Sequence, residues 1–131
     1  MQSDIPTEII ISPDSGNREL YKKIKRVDKF EQVISNIQHY LYKLNSPQNK
    51  VFVKYICIKD VNDNEQDVTE WLNLMKKIGV KDIRLDIDYN YPNVKNSVLP
   101  KLFEFTKQKS AQIGLNLTLT EMTLSTINSN N

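Results

Sequence analysis

Two hydrophobic periodicities alternate along the sequence, and this alternation limits the folds open to it more than any other feature. Short runs rich in β-branched residues are typical of strands that are covered on both faces, whereas apolar residues spaced three or four apart are typical of amphipathic helices. Four strands are predicted, at residues 8–12, 51–58, 83–88 and 115–119. Strands that alternate with helices form right-handed βαβ units in a parallel sheet, so the sequence predicts an α/β fold.

Helical patterns fill the segments between the strands. A short helix is predicted first, and three longer ones follow, over residues 18–25, about 30–44, about 64–78 and about 98–113. Asp28, with Glu31 three residues later, and Ser97 have the spacing of N-terminal caps. Gly79 and Gly114 stand where a left-handed C-terminal cap is needed.

The composition excludes several classes of function. The chain has 131 residues and a net charge of +2, so it has the size of one domain and no concentration of basic charge for nucleic acid. No apolar run is long enough to span a membrane or form a signal peptide, and we expect a cytoplasmic protein. We expect residues 1–120 to form the domain and residues 121–131 a polar tail.

Cysteine and histidine are too scarce for a metal centre within the chain. A structural zinc ion needs about four such ligands and an iron–sulfur cluster three or four thiolates, whereas the chain has one cysteine, Cys57, and one histidine, His39. Cys57 lies in an apolar strand and is predicted to be an inert core residue. His39 is predicted to be solvated on a helix. We therefore expect no metal site, and no catalytic residue is identified.

Polar loops follow the first three strands, over residues 12–16, 59–65 and 89–92. Ligands bind at the carboxyl ends of parallel strands, so these loops suit a small polar ligand. They also have the composition of ordinary turns, which is the competing interpretation.

The third predicted strand carries a charged face. Arg84, Asp86 and Asp88 alternate with apolar residues, and Lys54 on the second strand is placed to pair with one of the two aspartates. Either this face lines a barrel lumen, which we favour, or the strand lies at an exposed edge of the sheet. A metal-dependent hydrolase that uses Asp86 and Asp88 is disfavoured because no third ligand joins them.

Two segments, Ile11–Ile37 and Lys54–Asp88, resemble the core of radical S-adenosylmethionine (radical SAM) enzymes. Members typically read S-x-D-S-G-T-R-E-x-Y-x-K-I-K-G-V-D at the fourth strand, and this chain reads S-P-D-S-G-N-R-E-L-Y-K-K-I-K-R-V-D from Ser12. A V-N-D-N-E motif follows the next strand, as in the family. Arg26 departs from the pattern, because a glycine is common there. The resemblance covers about residues 7–90.

The resemblance implies a partial, half TIM-type barrel of about four parallel strands with three or four helices. It also implies contacts with S-adenosylmethionine, the methionine or ribose part at the first strand and the adenosine part at the next two. The residues that match those positions are Ser12, Asp14, Ile58, Val61, Tyr89 and Tyr91. The row of Lys54, Arg84, Asp86 and Asp88 is then expected to face the substrate in the lumen.

Family members hold a [4Fe–4S] cluster in a C-x-x-x-C-x-x-C loop, and this chain has no such loop. We therefore expect a fragment that corresponds to the C-terminal half of the core and is inactive alone. It would be an enzyme only when joined to the cluster-binding half, and we expect that half as its partner, or self-association. The alternative is a stand-alone small-ligand or protein-interaction module without redox chemistry.

Overall fold

A computed structural model describes residues 5–120 together with Thr123 and Ser125. The predicted strands form one parallel sheet in the order β1-β2-β3-β4. Their bounds lie within one residue of those predicted from the sequence: β1 Glu8–Ile11, β2 Lys50–Cys57, β3 Asp82–Ile87 and β4 Asn116–Leu119.

Helices connect the strands as the hydrophobic periodicity predicts. Their bounds are α1 Arg18–Lys25, α2 Phe30–Lys43, α3 Glu65–Ile78 and α4 Leu99–Ile113, with a short 3-10 helix at Val94–Asn96. The α/β class and the four-stranded partial barrel are therefore confirmed.

The two faces of the sheet differ because side chains alternate along each strand. On one face most β2 and β3 side chains, from Val53 to Cys57 and at Ile83 and Leu85, are fully buried and share a single core with residues of the helices, such as Trp71 and Leu72 of α3 and Leu99 of α4. We call this the covered face. On the other, open face, Phe52 and Lys54 stay partly exposed.

Helix termini confirm two cap predictions and correct a third. Gly79 and Gly114 end α3 and α4 in the left-handed conformation, at φ 93° and 82°. The prediction that Asp28 caps α2 is wrong: the capping position is Lys29, whose side chain makes no capping hydrogen bond. Asp28 instead accepts two hydrogen bonds from the Arg18 guanidinium, at 2.7 and 2.5 Å. A fork-shaped cation competes well for both carboxylate oxygens.

Ser97 makes a capping-type bond one position further out than predicted. Val98 occupies the capping position of α4, and Oγ of Ser97 accepts a hydrogen bond from the amide of Leu99 at 3.1 Å.

The edge-strand interpretation of the charged row is wrong, because β3 lies between β2 and β4. The predicted tail at residues 121–131 lies outside the described residues except for Thr123 and Ser125, and its domain assignment stays a prediction. In the part of the chain that the structure describes, no helix is long and apolar enough to cross a membrane.

Candidate functional site

Three loops follow the first three strands at the carboxyl end of the sheet: the β1–α1 loop (residues 12–17), the β2–α3 loop (residues 58–64) and the β3–α4 loop (residues 88–98). Hydrogen bonds connect them to one another. Nδ2 of Asn62 donates to the carbonyl of Asp14 at 3.0 Å, and the phenol of Tyr91 donates to Oδ2 of Asp63 at 2.5 Å. The three loops therefore form one continuous surface.

A cleft of about 250 Å³ opens at the carboxyl end of β3. Its lining combines carboxylate, hydroxyl, aromatic and aliphatic groups, from Asp86, Ile87, Asp88, Tyr89, Tyr91, Val94 and Thr123. A larger cleft of about 610 Å³ lies at the opposite end, beside the first residues of β2 and β3. Because ligands of parallel α/β folds bind at the carboxyl ends of strands, the smaller cleft is the candidate site.

The two tyrosines of the cleft have opposite environments. Tyr89 is 95% exposed and presents its ring to solvent, whereas Tyr91 is 7% exposed. Burial, together with the hydrogen bond to Asp63, raises the pKa of Tyr91 to about 12. Nζ of Lys59 lies 5.7 Å from the centre of the Tyr91 ring. Tyr91 is therefore fixed and uncharged, and Tyr89 has the freer aromatic face.

Asp86 connects the cleft to the open face of the sheet. Its Oδ1 accepts a hydrogen bond from the hydroxyl of Thr123 at 2.7 Å, and its Oδ2 lies 3.7 Å from Nζ of Lys54. The predicted pairing of Lys54 with an aspartate of β3 is thus observed, and Asp86 is the partner. Asp88, two residues on, lines the same cleft.

Arg84 points away from the cleft. Its guanidinium lies over the ring of Phe52, 3.9 Å from the ring centre, and donates to Glu8 on β1 at 3.2 Å. Glu8 is paired in register with Lys50, the first residue of β2, so Arg84 leans towards the amino end of the sheet. The structure therefore separates Arg84 from Asp86 and Asp88.

Asp14 is 2% exposed, and protein groups contact both of its carboxylate oxygens. Oδ1 accepts a hydrogen bond from the amide of Ile56 at 2.7 Å, and Oδ2 accepts one from Nζ of Lys25 at 2.9 Å. Burial raises the pKa of Asp14, and the two hydrogen bonds act in the opposite direction. Ser12 is half-buried, and neither residue lines the cleft.

Ile58 and Val61 bracket a tight turn in the β2–α3 loop. The carbonyl of Ile58 accepts hydrogen bonds from the amides of Val61 at 3.1 Å and Asn62 at 3.3 Å. Asp60 takes a left-handed φ of 60° within the turn. Both apolar side chains are half-buried, and neither lines the cleft.

The sequence analysis did not predict three residues of this surface. Asn62 and Asp63 make the bonds between loops, and Thr123 holds Asp86. The V-N-D-N-E motif was the available signal for the first two, since it places consecutive amide and carboxylate groups directly after a buried strand. Nothing in the sequence marked Thr123.

The donor groups do not fit an iron–sulfur cluster. Cys57 is fully buried in β2, and burial raises the pKa of its thiol, which opposes the thiolate that a metal needs. Within the described ranges, no three His, Cys, Asp or Glu side chains are grouped as metal ligands.

Sequence comparisons connect this geometry to known proteins. The chain is 26% identical over 124 residues to the probable dual-specificity RNA methyltransferase RlmN of Shouchella clausii, covering 86% of this chain and 34% of that protein. It is 28% identical over 120 residues to the RlmN of Dictyoglomus thermophilum, covering 90% and 34% of the two chains. No protein-family model matches the chain.

A solved structure shares the fold. The crystal structure of a radical SAM methyltransferase from Sphaerobacter thermophilus matches with a TM-score of 0.67 at 18% identity, over 91% of this chain and 35% of that one. The chain thus spans about a third of the length of these two curated relatives. The resemblance to the radical SAM core is confirmed, because this chain is similar to RlmN methyltransferases in sequence and to a radical SAM methyltransferase in fold over that part of their length.

Proposed function

We propose that this chain contributes one wall of the S-adenosylmethionine site of a radical SAM core, and that its β3 cleft receives the adenosine end of that molecule. The observation that carries the proposal is the position of the cleft at the carboxyl end of an interior strand, in a chain related to radical SAM methyltransferases.

The cleft has groups that suit a nucleoside. The exposed ring of Tyr89 offers a stacking surface for a purine, and Ile87 and Val94 form an apolar wall. The carboxylate of Asp88 is an acceptor for ribose hydroxyl or exocyclic amino groups. A volume of about 250 Å³ is below the range of about 300–1,000 Å³ that is usual for complete ligand pockets, which supports partial rather than full enclosure.

The remaining predicted residues suit other parts of the core. Lys54 and Asp86 form a paired, partly exposed polar group on the open face, which supports a role towards the substrate. Ser12, Ile58 and Val61 belong to loops next to the cleft, and their ligand contacts stay predictions. S-adenosylmethionine supplies the radical precursor in this family when it is bound beside a cluster.

The cluster ligands must come from outside this sequence, since its one cysteine is buried in the core. We propose that a cluster-binding half, in a covalently attached segment or a separate chain, packs against the open face and the β1 edge. We expect no reductive cleavage of S-adenosylmethionine by this chain alone. We propose no nucleic-acid partner, because a net charge of +2 provides little attraction for phosphates. The cytoplasmic location also stays a prediction.

Calorimetric titration with S-adenosylmethionine, alongside size-exclusion chromatography, tests the proposal. We expect saturable binding that adenosine competes away. Replacing Tyr89 with alanine should weaken binding about tenfold or more, given about 1–3 kcal/mol for base stacking. Tyr42→Ala is the matched control, because Tyr42 is also exposed, at 81%, but lies beside the opposite end of the sheet.

Two results would contradict the proposal. One is a folded chain that shows no saturable binding, and the other is equal loss of binding in the Tyr89→Ala and Tyr42→Ala variants. An absence of S-adenosylmethionine binding with a defined oligomer would favour the interaction module instead, because the open face would then serve protein contacts.

A further inference from the structure

Strand β2 continues further than its neighbour β1. The β1–β2 pairing ends at Ile11 and Val53, whereas β2 runs on to Cys57 beside β3. Backbone groups near the end of β2 that face the β1 side therefore need other partners, since buried unpaired amides and carbonyls are costly.

Side chains from two loops take the place of the missing strand. Oδ1 of Asp14 accepts from the amide of Ile56 at 2.7 Å, and Nδ2 of Asn62 donates to the carbonyl of Ile56 at 2.9 Å. Oδ1 of Asn62 also accepts from the amide of Ile58 at 2.7 Å. Both side chains thus complete the hydrogen bonding at the carboxyl end of β2.

A direct hydrogen bond also joins these two residues. Nδ2 of Asn62 donates to the carbonyl of Asp14 at 3.0 Å, across 48 positions of sequence. Asp14 has a left-handed φ of 59°, which turns the chain at this contact. Asn62 is fully buried, and every polar atom of its side chain has a partner.

Two further groups fix the pair from the core and from α1. The phenol of Tyr55, fully buried in β2, donates to the carbonyl of Asn62 at 2.6 Å. Nζ of Lys25, in the last turn of α1, donates to Oδ2 of Asp14 at 2.9 Å. We refer to Asp14, Asn62 and Tyr55 together as the loop clamp.

We propose that Asp14 and Asn62 are positioning residues: the loop clamp holds the β1–α1 and β2–α3 loops in one arrangement, so that Asp63 of the β2–α3 loop keeps Tyr91 in place in the cleft. This inference rests on the proposed S-adenosylmethionine site and deepens it. Asp14 then acts through the loops and does not contact the ligand, because it is buried and its carboxylate is bonded to Ile56 and Lys25.

Amide hydrogen exchange measured by NMR, combined with calorimetric titration, tests the clamp on the full chain. Asn62→Ala should speed exchange about tenfold or more at Ile58, which loses its acceptor, and also at Ile56, whose own acceptor is Asp14. The effect at Ile56 distinguishes a coupled clamp from a single lost bond. Affinity for S-adenosylmethionine should fall about tenfold, with the circular dichroism spectrum unchanged.

Asn49→Ala is the matched control. Oδ1 of Asn49 accepts a hydrogen bond from the amide of Thr7 at 3.0 Å, so an asparagine also connects the β1 and β2 segments at their amino end. This variant should leave both S-adenosylmethionine affinity and exchange at Ile56 unchanged. Asn62→Asp keeps the side-chain oxygen that accepts from the Ile58 amide but removes the Nδ2 donor. It should therefore speed amide exchange more at Ile56 than at Ile58.

Tyr55→Phe provides a milder test if Asn62→Ala does not fold, because it removes only the hydroxyl that holds Asn62. Unchanged exchange at Ile56 in the folded variants would overturn the clamp. Faster exchange with unchanged affinity would overturn its positioning role. If the wild-type chain does not bind S-adenosylmethionine, the proposed function and the positioning role fail, while exchange at Ile56 still decides whether the loops are coupled.

Discussion

The two faces of the sheet are built from the same strands but are stabilised differently. On the covered face, Val53, Ile83 and Leu85 have no exposed surface and pack in one core with the helices. On the open face, Lys54 and Asp86 remain partly exposed and form an ion pair at 3.7 Å. Apolar packing stabilises the covered face, whereas the charged side chains of the open face are paired with each other.

Because of this difference, we expect the covered face to stabilise the fold and the open face to bind ligands. Full burial of an aliphatic side chain contributes about 1.5–3 kcal/mol, whereas ion pairs near solvent contribute about 0–1 kcal/mol. The covered face is thus expected to determine stability. The exposed side chains of the open face can differ between relatives at little cost, which suits a surface that binds ligands.

The largest effect is expected for truncation of the covered face. Leu85→Ala should lower the free energy of unfolding by about 2–5 kcal/mol, because it leaves a cavity among fully buried neighbours. Urea denaturation measures this loss. The control is Asp86→Ala, one residue further on the opposite face. Comparable losses in the two variants would contradict the proposed difference between the faces.

The next effect concerns the contact between the β1–α1 loop and α3. A Cβ on Gly16 would lie 2.4 Å from the backbone nitrogen of Trp71, a clash with backbone that cannot move easily. Gly16→Ala should therefore destabilise the chain by about 3 kcal/mol, measured by thermal unfolding. Gly79→Ala, where a Cβ meets nothing within 4 Å and only the left-handed backbone is strained, should cost about 1–2 kcal/mol. A larger loss for Gly79→Ala would contradict this order.

A smaller effect is expected on the open face. Lys54→Met removes one partner of the ion pair with Asp86 and should change the free energy of unfolding by less than about 1 kcal/mol. Urea denaturation at low and high salt measures it, and the difference from wild type should shrink at high salt. A loss above about 2 kcal/mol would mean that the open face also carries the stability of the fold.

The smallest effect is expected from the protonation of Asp14, because burial and the Lys25 contact act in opposite directions on its pKa. The pKa is raised, so the folded chain binds this proton more tightly than the unfolded chain does. The stabilising contribution of Asp14 protonation is present at pH values below its ordinary pKa of 3.8. It is lost as the pH rises through the pKa of Asp14 in the folded chain.

Unfolding of wild type and Asp14→Asn across a pH series checks this sign. The stability of wild type relative to the variant should decrease as the pH rises from the acid range and then become constant. An increase with pH would mean that the hydrogen bonds to the carboxylate outweigh its burial.

Much of the fold was predictable because it depends on local periodicity. The strands and most helix bounds follow from apolar spacing, and their alternation predicts the parallel order. The prediction of an N-terminal cap at Asp28 was wrong for a reason outside that pattern. The guanidinium of Arg18, ten residues earlier, donates hydrogen bonds to the Asp28 carboxylate.

The candidate site was predicted less completely. Four predicted residues, Asp86, Asp88, Tyr89 and Tyr91, line one cleft, while Arg84 turns to Glu8 and Asp14 is enclosed. Asn62 was missed because its importance comes from backbone groups that are distant in sequence, at Asp14 and Ile56. A motif lists side chains, but it does not show which unpaired amides they will reach.

The sequence by itself determined the class of this protein: the order of its elements, the apolar and charged faces of β3, and the resemblance to the radical SAM core. Each depends on residue spacing along the chain, which does not change on folding. Only the tertiary structure decided which polar groups pair, since β1 ends before β2 and leaves amides that Asp14 and Asn62 must satisfy. Those pairings depend on distances between segments, and these exist only once the sheet has formed.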